Sequence, residues 1–202
     1  MIVATLSLIG YSALLVVDIF PGRRSAWILH GAAVISLGLA LWLAVVQGAP
    51  LGWPAWLTGP GWLLTAGGAT LLVYSVYIEI PLAQRRRAAS NSPATASGPS
   101  DGVICTGTYA LCRHPGWWWM VMFLSGLILV ANHSGVVILA LVWATLDLAI
   151  IAIQDRYVFP RRFADYPSYK LATPFLFPTW TSIQSMLHSS RSTYDRLSTD
   201  HE

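Results

Sequence analysis

The residues in this chain best suited to chemistry form one short run, Gly107-Thr108-Tyr109-Ala110-Leu111-Cys112-Arg113-His114-Pro115, which opens directly into an apolar stretch. Proline is favoured in the first turn of a helix, where its missing N–H is no loss, and it turns the preceding residue away from helical geometry. His114 is therefore expected at or beside a helix N-cap. The free amides and positive dipole of that terminus attract anions, and Arg113 stands next to them as a fork-shaped donor for a carboxylate or phosphate. The plainer role is an interfacial arginine that anchors the helix and a histidine that caps it. Spacing alone leaves both open.

A second run lies further on: Gln154-Asp155-Arg156-Tyr157, Phe159-Pro160-Arg161-Arg162-Phe163, Asp165-Tyr166, Tyr169 and Thr173-Pro174-Phe175-Leu176-Phe177-Pro178. Its mixture of aromatic rings, cations and prolines suits a half-buried segment lying along a membrane interface. Cys105 and Cys112 fall on the side expected to be cytoplasmic, where thiols stay reduced. No second Cys/His cluster accompanies them, so no metal site is expected.

The elements that must position these residues follow from composition. Only 10% of the 202 residues are charged and 55% are hydrophobic, against about 25% charged in a soluble domain. Mean hydropathy is +0.57. Such a chain is not disordered, nor a secreted disulfide scaffold, nor a free nucleic-acid-binding protein. A membrane-spanning helix needs about 20 mostly apolar residues, and five stretches qualify: 2–20, 25–48, 61–83, 116–133 and 134–154. The expected fold is an all-α, polytopic membrane helix bundle of about five spans with a cytoplasmic C-terminal interfacial segment. The first stretch reads as a retained span and not a signal peptide. No Lys or Arg precedes it, Asp18 interrupts its end, and no small-x-small cleavage site stands before Arg23.

The chain is expected to form a single membrane domain over 1–202. Residues 1–83 hold three spans, 84–102 a mobile cytoplasmic loop, 103–178 a helical hairpin with its tail, and 188–202 a flexible end. The twelve basic residues fall after the first span, between the third and fourth, and after the fifth. With five spans these regions share one side, which the positive-inside rule makes cytoplasmic, with the N-terminus outside and the C-terminus inside. The net charge of +3 thus points to lipid headgroups, not to nucleic acid. Trp53 and Trp56, in an uncharged loop, suit the outer interface. The fourth and fifth spans, parted only around Asn132 and His133, should form a tight antiparallel hairpin that brings His114 and Asp155 to one membrane face.

Carboxylates inside spans are costly and functional by default. Asp18 and Glu79 lie near Arg23 and Arg85, so snorkelling or pairing accounts for them. Asp147 is deeper, about 12 Å along the helix before Asp155, and is the candidate to line a cavity for an acceptor. His30 and His133 are expected to make interhelical or interfacial contacts.

Together the two runs resemble the integral-membrane methyltransferase superfamily that includes isoprenylcysteine carboxyl methyltransferase and the phospholipid N-methyltransferases. The resemblance lies in Gly107, Tyr109, Arg113, His114 and Pro115, in the hairpin after them, and in the acidic-then-aromatic tail ending in prolines. It covers 103–178. It implies an S-adenosylmethionine pocket at the cytoplasmic face, with a lipophilic acceptor arriving from the bilayer: a prenylcysteine-like carboxylate, a phospholipid amine, or a small lipophilic thiol or acid. Tyr109, Arg113, His114 and Pro115 would line the cofactor pocket, Asp155 would stand for the family's acidic residue, and Tyr166 and Tyr169 for its tail tyrosines. Where the family carries a Glu-Glu pair, this chain has Gln154-Asp155 or Asp155-Arg156.

Methyl transfer is an in-line displacement, so holding donor and acceptor in near-attack geometry supplies much of the rate. An amine or thiol acceptor must also lose a proton; the candidates for chemistry are His114, Arg113 and Asp147. Two other readings fit parts of the pattern. Sterol and steroid reductases use NADPH beside a similar His-Pro helix start, but typically follow it with Asn-Tyr where this chain has Gly116-Trp117. A non-enzymatic scaffold or transporter subunit would keep only the hairpin. Oligomeric state has no signature in the sequence.

Overall fold

The computed structural model describes residues 1–19, 25–89 and 102–187. Among them every regular element is helical. In chain order these are α1 (Ile2–Ile19), α2 (Ser25–Gln47), α3 (Thr58–Val73), α4 (Ile80–Ala89), α5 (Thr108–Leu111), α6 (Pro115–Ala131), α7 (Ser134–Ile153), α8 (Phe159–Arg162) and α9 (Tyr166–Ala172). Four helices are long and apolar enough to cross a bilayer: Ile2–Ile19, Ala26–Gln47, Ala55–Arg85 and Ser134–Arg162. The fourth expected span, α6, has 17 residues, about 26 Å at the helical rise, just under a hydrocarbon core of about 30 Å.

Two helices outrun their expected ends. The third continues past Val73 through a π-helical stretch, Tyr74–Glu79, into α4; α7 continues through another, Gln154–Val158, into α8. Each stretch sits just before a proline, Pro81 or Pro160. Proline has no N–H to give and its ring collides with the carbonyl four residues back; widening the helix to i→i+5 bonding accommodates both. The residues after 154 therefore first prolong a helix, as far as Arg162. The stretch 84–102, expected as a mobile loop, likewise begins as helix up to Ala89, because Ala83, Gln84 and the arginines after it are strong helix formers. Residues 90–101 of that loop lie outside the described residues. So do Arg23, Arg24 and the expected flexible end, 188–202.

The chain divides into two compact units, Met1–Thr70 with Trp119–Val158, and Leu71–Trp118 with Phe159–Glu202. The first is built on α1, α2 and α7 with most of α3 and α6. Its core gathers Tyr11, Ala40, Ala44, Leu124, Leu139, Ala140 and Trp143. Small residues allow the close approach on which helix packing in lipid depends: a side chain on Gly68 would meet the Phe123 main chain at 2.5 Å, and one on Gly48 the Gly135 nitrogen at 2.6 Å. Polar bonds pin the same helices. Trp143 Nε1 donates to Ser7 Oγ at 2.9 Å, and Ser36 Oγ donates to the Leu6 carbonyl at 2.7 Å.

The connection between α6 and α7 is only Asn132 and His133, with Asn132 in the left-handed region (φ 53) that ends many helices. It is laced to the loop after α2: Leu51 N donates to Asn132 O, Ser134 N to Ala49 O, and Trp53 N to Asn132 Oδ1. These bonds occupy main-chain groups that would otherwise be costly near lipid. Outward, the helices show Trp27, Ile28, Ile35 and Leu63, each more than two-thirds exposed. An apolar exterior over an interior holding Ser7, Ser36 and Thr65 is the pattern of a membrane protein.

Candidate functional site

The second unit holds the Arg-His-Pro turn and the tail. Gly107 adopts φ 63, open to glycine at little cost, and leads into α5, a single turn that carries Tyr109. Cys112 ends that turn in extended geometry. His114 follows, and Pro115 is the first residue of α6 and fully buried, as the proline rule requires. The His114 carbonyl accepts the Trp117 N–H at 3.3 Å.

The His114 ring is 7% exposed. It stacks on Phe159 with centroids 6.0 Å apart and meets Phe175 edge-on at 5.1 Å. Phe159 in turn touches Tyr166, and Tyr166 touches Tyr169, both buried. Four hydrogen bonds then join the tail to the turn. Arg113 N donates to Pro174 O at 2.9 Å and Arg113 Nη1 to Lys170 O at 2.9 Å; Trp118 Nε1 donates to Leu176 O at 2.8 Å, and Tyr169 Oη to Tyr109 O at 2.7 Å. The Arg113 guanidinium also lies over Phe175, 5.6 Å from its centroid. Arg113 thus spends part of its donor capacity on the tail, and its bond to Lys170 O satisfies a carbonyl in the last turn of α9, where a cation also suits the helix dipole.

The electrostatics keep the hydroxyls and the thiol protonated. Burial pushes the Tyr109 phenol well above its ordinary value, and the Glu79 carboxylate adds to the shift. Burial raises Tyr169 also, chiefly by desolvation. Cys112 is raised by burial, partly offset by the His114 N–H that points at its sulfur.

Of the residues expected to form the site, Tyr109, Arg113, His114, Pro115, Tyr166 and Tyr169 are brought together in this unit. Asp155 and Asp147 belong to the first unit. Asp155 is buried in the π-helical stretch. Asp147 shares its surroundings with Asp18 and Tyr11, and Asp18 accepts a hydrogen bond from Gln154 Nε2 at 2.6 Å. Glu79, expected to snorkel or to pair near Arg85, has a partner further along the chain. Its carboxylate accepts from Thr108 N at 2.6 Å and from Thr108 Oγ1 at 2.5 Å. Sequence reasoning missed this contact and the aromatic partners Phe159 and Phe175. The glycine at 107, followed by a hydroxyl residue, was the available signal for the first.

No family, curated protein or solved structure matches this chain. The site must therefore be read from its own chemistry.

Chemically, the side chains gathered here offer a guanidinium of the kind that binds a carboxylate and ring faces of the kind that attract a cation.

Proposed function

We propose that this chain is an integral-membrane, S-adenosylmethionine-dependent methyltransferase acting on a lipophilic acceptor. The observation that carries the reading is the folding of the tail, 159–176, onto the Arg113-His114-Pro115 turn through Arg113, Trp118 and Tyr169. A tail closed over a helix start by hydrogen bonds and rings is a way to build a water-poor polar pocket, where electrostatic contacts gain strength. The resemblance of the two runs to the membrane methyltransferases supplies the reaction class.

In this reading the cofactor supplies an electrophilic methyl group. Arg113 holds its carboxylate, the rings around His114 shield it from water, and Tyr109 and Tyr169 keep the floor of the site in register. Five spans are proposed, α6 being the short one, with the N-terminus outside and the turn and tail cytoplasmic; five spans would put all twelve basic residues of the sequence on one side, which supports that orientation. The acceptor, a carboxylate, amine or thiol on a lipid-soluble carrier, arrives from the bilayer. Asp147 is proposed to serve the acceptor from within the membrane-spanning first unit.

The test is calorimetry with purified protein in lipid nanodiscs. S-adenosylhomocysteine should bind, and His114→Ala or Arg113→Ala should weaken binding without unfolding the chain. Absence of binding to well-folded protein overturns the proposal, and binding of NADPH instead replaces it with the reductase reading. With labelled cofactor and lipid extracts as acceptors, Asp147→Asn should lower turnover more than cofactor affinity.

A further inference from the structure

Glu79 is a carboxylate that the reaction proposed above does not use, yet it is 6% exposed and satisfied by one residue far along the chain. Both oxygens are taken by Thr108, one by its main-chain N–H and one by its hydroxyl. The partner is the first residue of α5, so the carboxylate does for this short turn what an N-cap side chain does locally, and its charge suits the positive end of a helix. The fit is close: a Cβ on Gly107 would collide with Glu79 Oε1. Glu79 closes the π-helical stretch Tyr74–Glu79, with Ser75 and Glu79 both buried. A helix widened at that point turns its following residues to a new face. The widening forced by Pro81 therefore helps set where the Glu79 carboxylate points.

From this we infer that Glu79 is a positioning residue: it clamps the Gly107–Thr108 turn and thereby fixes Tyr109, Cys112 and the Arg113-His114-Pro115 start of α6. The inference rests on the proposed function only for what the turn binds. The clamp itself stands on the hydrogen bonds and on the glycine that lets them form. α5 is a single turn and is marginal by itself, so an outside acceptor for its leading N–H decides whether it holds. Charged hydrogen bonds of this kind are the stronger class. Through Tyr109 O, which accepts from Tyr169, the clamp extends to the tail.

Cys112 gives a readout independent of activity, being 2% exposed and one residue beyond α5. In full-length protein with Cys105→Ser, so that Cys112 is the only thiol, the rate of labelling by a water-soluble maleimide is measured beside the affinity for S-adenosylhomocysteine. Glu79→Ala should speed labelling and weaken affinity by about tenfold or more, the equivalent of one charged hydrogen bond. Glu79→Gln, which keeps an acceptor for the Thr108 N–H, should recover part of both, and Thr108→Val should resemble it. Thr108→Val also serves should Glu79→Ala fail to fold. Labelling that is the same in all variants overturns the clamp. Faster labelling with unchanged affinity reduces Glu79 to a structural contact and overturns its positioning role. A parent protein that binds no S-adenosylhomocysteine while labelling still responds to Glu79 overturns the methyltransferase reading and upholds the clamp.

Discussion

The phenol of Tyr169 donates to the main-chain carbonyl of Tyr109 at 2.7 Å, joining residues sixty positions apart. Tyr169 is buried, and Tyr109 O belongs to a turn too short to satisfy its own carbonyls. Removing the hydroxyl leaves that carbonyl without its donor while the ring packing stays. Tyr169→Phe is therefore expected to cost about 1–2 kcal/mol and to speed amide exchange at Thr108–Leu111. Exchange there as slow as in the parent protein refutes the coupling.

Arg113 makes a related prediction through shape instead of charge. Its fork reaches Lys170 O while its plane lies over Phe175, which a lysine cannot do together. Arg113→Lys should keep the charge yet loosen residues 170–176, seen as faster proteolysis of the tail. It should also lose most of the affinity for S-adenosylhomocysteine. A lysine variant that matches the parent in both would mean that the point charge alone matters.

These two side chains also mark how far the sequence could be read. The helix start at Pro115 and the helices around it were legible, because apolar length and proline placement act locally. The gathering of Tyr109, Tyr166 and Tyr169 near the Arg-His-Pro turn came from the resemblance. What was hidden was partnership at a distance: Glu79 was expected to snorkel or to pair near Arg85, because nothing local reveals that Thr108 offers two donors. The prolongation of two helices was hidden differently. The expected spans ended at 83 and 154, whereas π-helical stretches before Pro81 and Pro160 let both helices pass these prolines.

The close approach of α3 and α6 predicts a steric cost. A Cβ on Gly68 would stand 2.5 Å from Phe123 N and 2.7 Å from Phe123 Cα, and main chain cannot swing aside as a flexible side chain can. Gly68→Ala is expected to destabilise by about 1–3 kcal/mol, as overpacking does. Gly31→Ala, which meets nothing within 4 Å, should be neutral or stabilising, since alanine favours a helix. Equal thermal midpoints for the two variants would contradict the packing.

The protonation of the second unit sets its response to alkali. Tyr109 and Tyr169 are held above the ordinary phenol value, mainly by burial, and Cys112 above the ordinary thiol value for the same reason. A group whose folded pKa is raised keeps its proton in the native state after the unfolded chain has released it. The unfolded state then binds fewer protons, and stability falls as pH rises. The loss should begin near the unfolded thiol value, about 8.5, and steepen past the unfolded phenol value, about 10. Thermal unfolding followed from pH 7 to 11 should show this decline, and Tyr169→Phe with Cys112→Ser should flatten it by removing two of the three groups. The double variant starts from a lower midpoint at pH 7, so the slope with pH is the decisive quantity. An identical slope in parent and variant would show that neither group is held protonated by the fold.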